Sequence, residues 1–206
     1  MGDLKKVGIM GGTFDPIHMG HLIIAETARE AFALEEILFI PSGVSYMKSN
    51  VLDKKTRVTM TGIAIEDNPH FALSTIEVDR DGNSYSYETI CELKKHNPDT
   101  EYYFIVGADS LFHMEKWMHP EKIFSECIIL AAIRSGSTAD EFKEQIDYLK
   151  ETYHADIRMI PTKSFDLSST AIREKAEKGY SIQYLVPDKV REYIEKNHIY
   201  RAEDAQ

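Results

Sequence analysis

Short apolar runs and longer amphipathic stretches alternate from one end of this chain to the other, and that alternation limits its fold more than any other feature. The runs are Val7–Met10, Ile37–Ile40, Phe71–Val78, Tyr102–Val106, Cys127–Ile133 and Ile157–Ile160, and they read as strands. Helical spacing covers Met19–Phe32, Lys54–Glu66, Tyr85–His96, Asp140–Tyr153, Ser169–Lys178 and Pro187–Lys196. Strands apolar on both faces need cover on both faces, and helices between them supply it. The expected fold is α/β: a single-domain, Rossmann-like parallel sheet with helices on both faces. No Gly/Ser/Pro-rich linker divides residues 1–206, so one domain is expected. Ligands of such sheets bind beyond the C-terminal strand ends. The residues after Met10, Ile40, Val106, Ile133 and Ile160 are the first candidates for chemistry.

Composition narrows the partners. The 206 residues are 43% hydrophobic and 28% charged, the balance of a soluble domain with a real core. No stretch approaches the roughly 18 apolar residues of a membrane span. The apolar run ending at Gly8 is too short for a signal-peptide core, so a cytoplasmic protein is expected. Cys91 and Cys127 have no C-x-x-C spacing and read as reduced thiols. A net charge of −10 argues against nucleic-acid binding, where basic surface supplies most of the affinity. A phosphorylated ligand would need local, well-placed positive groups.

Residues 11–21, Gly-Gly-Thr-Phe-Asp-Pro-Ile-His-Met-Gly-His, supply such a place. A glycine turn between strand and helix lets backbone N–H groups approach a phosphate, and the helix start adds partial positive charge. It is neither a Walker A loop nor a G-x-G-x-x-G fingerprint. His18 and His21, at the helix start, can point two imidazoles into one cleft and neutralise a transferring phosphoryl group. Two ordinary helix-start residues are the plain alternative; a zinc pair would lack a completing ligand set apart from Asp15. Ser168-Ser169-Thr170-Ala171-Ile172-Arg173 opens a late helix. Its hydroxyls serve equally well as an N-cap or as a phosphate grip, with Arg173 one turn on.

Together these segments resemble the nucleotidylyltransferase superfamily. Residues 12–21 match Gly-x-Phe-x-Pro-x-His-x-Gly-His, and residues 167–173 are similar to its second motif, Ile-Ser-Ser-Thr-x-Ile-Arg, with Leu167 for the isoleucine. Within the superfamily the chain resembles bacterial nicotinate-nucleotide adenylyltransferases. Gly107 and Asp109 match a Gly-x-Asp element. Lys116-Trp117 matches a Lys-Trp pair, and Arg80–Thr89 is similar to Arg-x-Gly-x-Ser-Tyr-Thr-x-Asp-Thr, with Ser86 for the threonine. Residues 181–187 resemble the C-terminal signature, and Arg57 matches a basic position that a solvated surface charge would explain as well. Two departures stand out: Arg134-Ser135-Gly136 replaces Arg-Pro-Gly, and Ser45-Tyr46-Met47-Lys48 replaces Pro-Pro-His-Lys.

The resemblance implies adenylyl transfer from ATP to nicotinate mononucleotide, giving nicotinate adenine dinucleotide and pyrophosphate. It assigns His18, His21, Lys48 and Arg173 to catalysis. It gives ATP contacts to Gly11, Gly12, Thr13, Phe14, Gly107, Asp109 and Arg134, as well as to the two histidines. The C-terminal helical part, about residues 168–200, completes that site through Ser168, Ser169, Thr170 and Arg173. Nicotinate mononucleotide falls to Thr13, Lys48, Ser86, Trp117 and Met118, with the indole on the pyridine ring and main-chain N–H groups on its carboxylate. Mg²⁺ is expected to bridge substrate phosphates, with no protein metal site. A homo-oligomer is allowed. Nicotinamide mononucleotide or phosphopantetheine as acceptor, and a non-catalytic nucleotide sensor on the same fold, remain open readings here.

Overall fold

The computed structural model describes residues 4–44, 51–133, 139–162 and 167–201. Six strands form one sheet: β1 (Lys5–Gly12), β2 (Glu36–Pro41), β3 (Phe71–Leu73), β4 (Thr100–Gly107), β5 (Ile128–Ala132) and β6 (Ile157–Met159). Their order is β3-β2-β1-β4-β5-β6, and every neighbouring pair is parallel. The helices are α1 (Met19–Ala31), α2 (Lys54–Ile65), α3 (Ser86–His96), α4 (Ala108–His113), α5 (Pro120–Glu126), α6 (Ala139–Tyr153), α7 (Ser169–Glu177) and α8 (Asp188–Lys196).

The side-chain period of two splits the core into two layers. Val7 and Ile9 of β1, Phe104 and Val106 of β4 and Ile129 of β5 face one layer, closed by Ile90, Leu111, Ile123 and Phe142 from α3–α6. Met10, Tyr103, Ile105 and Leu130 face the other, closed by Ala25, Met60, Ile172 and Val190 from α1, α2, α7 and α8. The expected doubly covered parallel sheet is therefore present. Among the described residues no helix is long and apolar enough to cross a membrane.

One local expectation fails. The third strand stops at Leu73 instead of running to Val78. It lies at the sheet edge, where the Ser74 N–H closes the ladder on Phe39 O at 2.9 Å. The chain then turns, with Asp79 N–H on Thr75 O at 2.8 Å and Thr75 Oγ1–H on Asp79 Oδ2 at 2.6 Å. Alternation at Glu77 and Val78 records burial inside this turn, and burial alone does not require a partner strand. Helices α4 and α5, of six and seven residues, are invisible to periodicity, because segments so short show no full amphipathic period.

Candidate active site

Strand order reverses between β1 and β4, since successive strands lead away from β1 on one side and from β4 on the other. A crevice opens where such a sheet divides. Residues 13–21 and 108–117 follow the two strands that flank it. Gly11 and Gly12 are the last residues of β1, paired with Ile40 and Pro41, so they end a strand and do not themselves form the turn. The chain reverses after them. Phe14, at φ 51, buries its ring edge-on against His21 with 5.1 Å between centroids.

His18 is the N-cap of α1 and is 6% exposed. Its main-chain N–H donates to Nδ1 of His21 at 3.2 Å, as the third helical residue does in a capping box. That bond leaves Nε2 as the protonated nitrogen of a neutral His21 ring. The two rings stack at 3.7 Å, inclined by 21°. Gly20 makes this possible: a Cβ there would lie 3.1 Å from the His18 ring. The motif thus builds one rigid imidazole pair and not two independent side chains.

The second motif meets the first across more than 150 residues. Ser168 is the N-cap of α7, its Oγ accepting the Ala171 N–H at 3.2 Å. Ser169 Oγ–H donates to Pro16 O at 2.9 Å, and Arg173 Nη1 donates to Asp15 O at 2.7 Å. Arg173 Nη2 also reaches Thr170 Oγ1 at 3.3 Å. The remaining N–H groups of the first turn of α7 have no intrahelical acceptor, as in any α-helix, and Arg173 lies one turn further on.

Arg57 is not a surface charge. It is 2% exposed and donates to four main-chain carbonyls: Thr13 at 2.7 Å, Ser42 at 2.7 Å, Gly43 at 3.1 Å and Leu52 at 3.0 Å. Burial lowers its pKa, against the opposing pull of Asp15 and Asp53. It ties the signature segment to the chain leaving β2. Asp15, 4% exposed, is a second organiser that sequence reasoning left aside. Its carboxylate accepts Tyr200 Oη–H at 2.6 Å and the Leu52 N–H at 3.4 Å.

On the far side, Ser86 opens α3 with Tyr85 as N-cap. The turn before it is zipped to the chain after β2: Ser84 N–H bonds Val44 O at 2.9 Å, and Ser84 Oγ accepts the Gly43 N–H at 3.1 Å. Gly43 sits so close to Ser84 Oγ and the Glu77 carbonyl that no side chain fits. Glu77 lies beneath, accepting Thr89 Oγ1–H at 2.9 Å. Burial pushes the Glu77 carboxyl up, against the pull of Thr89 and Arg80. The only sequence signal for Glu77 is an acid between Ile76 and Val78. Arg80 Nη1 donates to Thr89 Oγ1 at 3.2 Å, and Nη2 pairs with Glu92.

Trp117 follows a 3-10 turn, Met114–Lys116, and is half-buried. Its indole lies edge-on to Phe104 at 6.2 Å, and its Nε1–H is buried without a partner among the described residues. The same Phe104 ring lies 3.4 Å from where a Cβ on Gly11 would be, so Trp117 and the end of β1 share one aromatic neighbour. Met118 is exposed. Gly107 is the N-cap of α4, and Asp109 lies inside its first turn rather than at the cap. Lys48 and Arg134, with the departures at 45–47 and 135–136, lie outside the described residues. Among the described residues no three His, Cys, Asp or Glu side chains converge as a metal cluster.

Comparison with known proteins agrees with this fold. The family model described as cytidylyltransferase-like matches residues 9–175. The probable nicotinate-nucleotide adenylyltransferase of Lachnoclostridium phytofermentans is 45% identical over 199 residues, covering 96% of this chain and 100% of that protein. Its counterpart in Thermoanaerobacter sp. is 40% identical, covering 97% and 96%. Among solved structures, Plasmodium falciparum nicotinic acid mononucleotide adenylyltransferase complexed with NaAD superposes with a TM-score of 0.79 at 21% identity, over 95% of this chain and 97% of that one. That last likeness concerns the fold.

Proposed function

The chain belongs to the cytidylyltransferase-like family and, within it, to the nicotinate-nucleotide adenylyltransferases; from that premise we propose that it transfers AMP from ATP to nicotinate mononucleotide, yielding nicotinate adenine dinucleotide and pyrophosphate for NAD biosynthesis. The observation that carries the residue-level account is the contact between the two motifs, Arg173 on Asp15 O and Ser169 on Pro16 O. It supports one phosphate site built from both ends of the chain, with the C-terminal helical part, about residues 168–200, completing it.

In the reaction an oxygen of the acceptor's 5′-phosphate forms a bond to the α-phosphorus. The bond from that phosphorus to the bridging oxygen breaks, and pyrophosphate leaves with the electron pair. Such transfer needs positioning and charge neutralisation, and no protein nucleophile. His18 and His21 steady the transferring phosphoryl group, with the Gly11–Phe14 backbone beside it. Arg173 and the Ser168–Thr170 helix start hold the β- and γ-phosphates. Gly107 and Asp109 adjoin the nucleotide at the end of β4. Lys48 and Arg134 are assigned to ATP or acceptor phosphates by sequence position alone. Trp117 carries the pyridine ring, and Ser86 and the Met118 main chain meet its carboxylate.

The donor set bears on magnesium. The carboxylate nearest both motifs, Asp15, is engaged by Tyr200 and Leu52, and its charged neighbour at 4.0 Å is the Arg173 guanidinium. This fits an ion carried by triphosphate oxygens, which would shield their charge, better than one caged by protein. The cytoplasm is the proposed setting, supported by Cys91 and Cys127 both being free thiols.

Pyrophosphate release with ATP and either nicotinate or nicotinamide mononucleotide tests the reading. Turnover with nicotinate mononucleotide, and much slower turnover with the amide, is expected. ATP binding without turnover on either acceptor would overturn it in favour of a nucleotide sensor.

A further inference from the structure

We propose that Tyr200 is a positioning residue for ATP: its hydroxyl holds the Asp15 carboxylate and so keeps that carboxylate from capturing Arg173. The proposal rests on the assignment of Arg173 to the triphosphate. After α8 the chain does not run on into solvent but folds back. Asn197 bonds Tyr193 O through its side chain at 2.8 Å, and the Ile199 N–H bonds Ile194 O at 3.0 Å. Two non-glycine residues, His198 and Tyr200, take left-handed φ values of 52° and 63°. Such conformations are costly and persist only where the surroundings impose them. Here they deliver a phenol to a carboxylate 185 residues earlier, with Oη 2.6 Å from Asp15 Oδ1.

Asp15 has two things Arg173 can bind. Its main-chain oxygen accepts Nη1 at 2.7 Å, and its Oδ2 lies 4.0 Å from the same nitrogen. The first contact anchors Arg173 through a neutral dipole. The second is a long ion pair between a buried carboxylate and a guanidinium that is 34% exposed; shortened, it becomes a charge-assisted hydrogen bond, stronger and more directional than one to a neutral carbonyl. Tyr200 at Oδ1 and the Leu52 N–H at Oδ2 hold that carboxylate's orientation, with Oδ2 kept 4.0 Å from the guanidinium. Burial and the Asp15 charge both push the Tyr200 phenol up, so it stays protonated and acts only as a donor. Without the hydroxyl, the nearest strong donor is the Arg173 guanidinium. An arginine drawn into that pair is withdrawn from the β- and γ-phosphates.

The Tyr200 ring packs against the core layer under α1, α7 and α8, so Tyr200→Phe removes the hydroxyl and keeps the packing. The experiment measures ATP binding by calorimetry without acceptor, steady-state KM for each substrate, and the melting temperature. Tyr200→Phe is expected to weaken ATP binding and raise its KM by about 5–20-fold, with the acceptor KM within about twofold and folding intact. Adding Asp15→Asn should restore most of the ATP affinity, because an amide cannot pair ionically with the guanidinium. Unchanged ATP affinity in Tyr200→Phe, an equal loss toward both substrates, or a loss that Asp15→Asn deepens would overturn the proposal. Wild-type turnover is run alongside. A wild type that binds ATP but fails to use nicotinate mononucleotide refutes the acceptor assignment, whereas the role of Tyr200 is decided by ATP binding alone.

Discussion

On the proposed assignment the site has a phosphate wall and a pyridine wall, and the two are held by different means. On the phosphate wall, main-chain carbonyls are the anchors. Arg57 grips those of Thr13, Ser42, Gly43 and Leu52, while Arg173 and Ser169 grip those of Asp15 and Pro16. On the pyridine wall, beyond the bonds that join Ser84 to the main chain of Gly43 and Val44, side chains hold side chains: Thr89 on Glu77, Arg80 on Thr89 and Glu92, and Phe104 against Trp117. The first arrangement fixes backbone position to within a hydrogen bond, as a transferring phosphoryl group demands. The second leaves room for ring identity and carboxylate recognition to be tuned by single substitutions. On that assignment the chemistry and the acceptor's recognition fall to different parts of the molecule.

That contrast can be broken at four points. His18→Ala should lower kcat by about 100–1,000-fold, the range for losing one oriented transition-state donor, with melting nearly unchanged. Full turnover in saturating ATP would remove the imidazole pair from the mechanism. Arg57→Met should lose about 3 kcal/mol or more of folding stability in urea titration, since it strips a buried donor from four carbonyls. A loss below about 1 kcal/mol would mean that the phosphate wall stands without it. Trp117→Ala should raise the KM for nicotinate mononucleotide about tenfold and leave that for ATP alone, the size of one lost ring contact. Equal effects on both substrates would show that the walls are not independent.

The smallest effect concerns Glu77. Its carboxyl is raised in the fold, so the stability it contributes is fully present below the ordinary carboxylate value and is lost as pH rises through the raised one. Glu77→Gln keeps the Thr89 contact and cannot ionise. Its melting temperature should therefore exceed that of the wild type by about 2–4 °C at pH 8 and match it near pH 4. A gain of the same size at both pH values would remove titration from the explanation.

Much of the phosphate wall was readable because its residues are consecutive. Glycine, the imidazole pair and the helix start all lie within 11–21, and a local motif carries local geometry with it. Ser168 caps α7 as its residue type requires. The pyridine wall was readable only by resemblance. Its parts come from a turn, the first turn of α3 and a 3-10 segment, none long enough to show a period. Arg57 was undervalued for a related reason. A lone arginine on a helix reads as solvated, and its burial depends on the chain between β1 and α2 closing over it. Tyr200 had no local signal at all.

The sequence by itself determined the sheet, its cover on both faces and the helix start within the glycine-histidine run, because periodicity and short-range capping are properties of neighbouring residues. Only the tertiary structure decided that Asp15 joins Tyr200 to the Arg173 anchor, that Arg57 is internal, and that Phe104 links Trp117 to the end of β1. Those contacts join residues separated along the chain, and what they do depends on burial: a hydrogen bond or a charge strengthens once water is excluded, and no residue's own neighbours in sequence determine which distant surface excludes it.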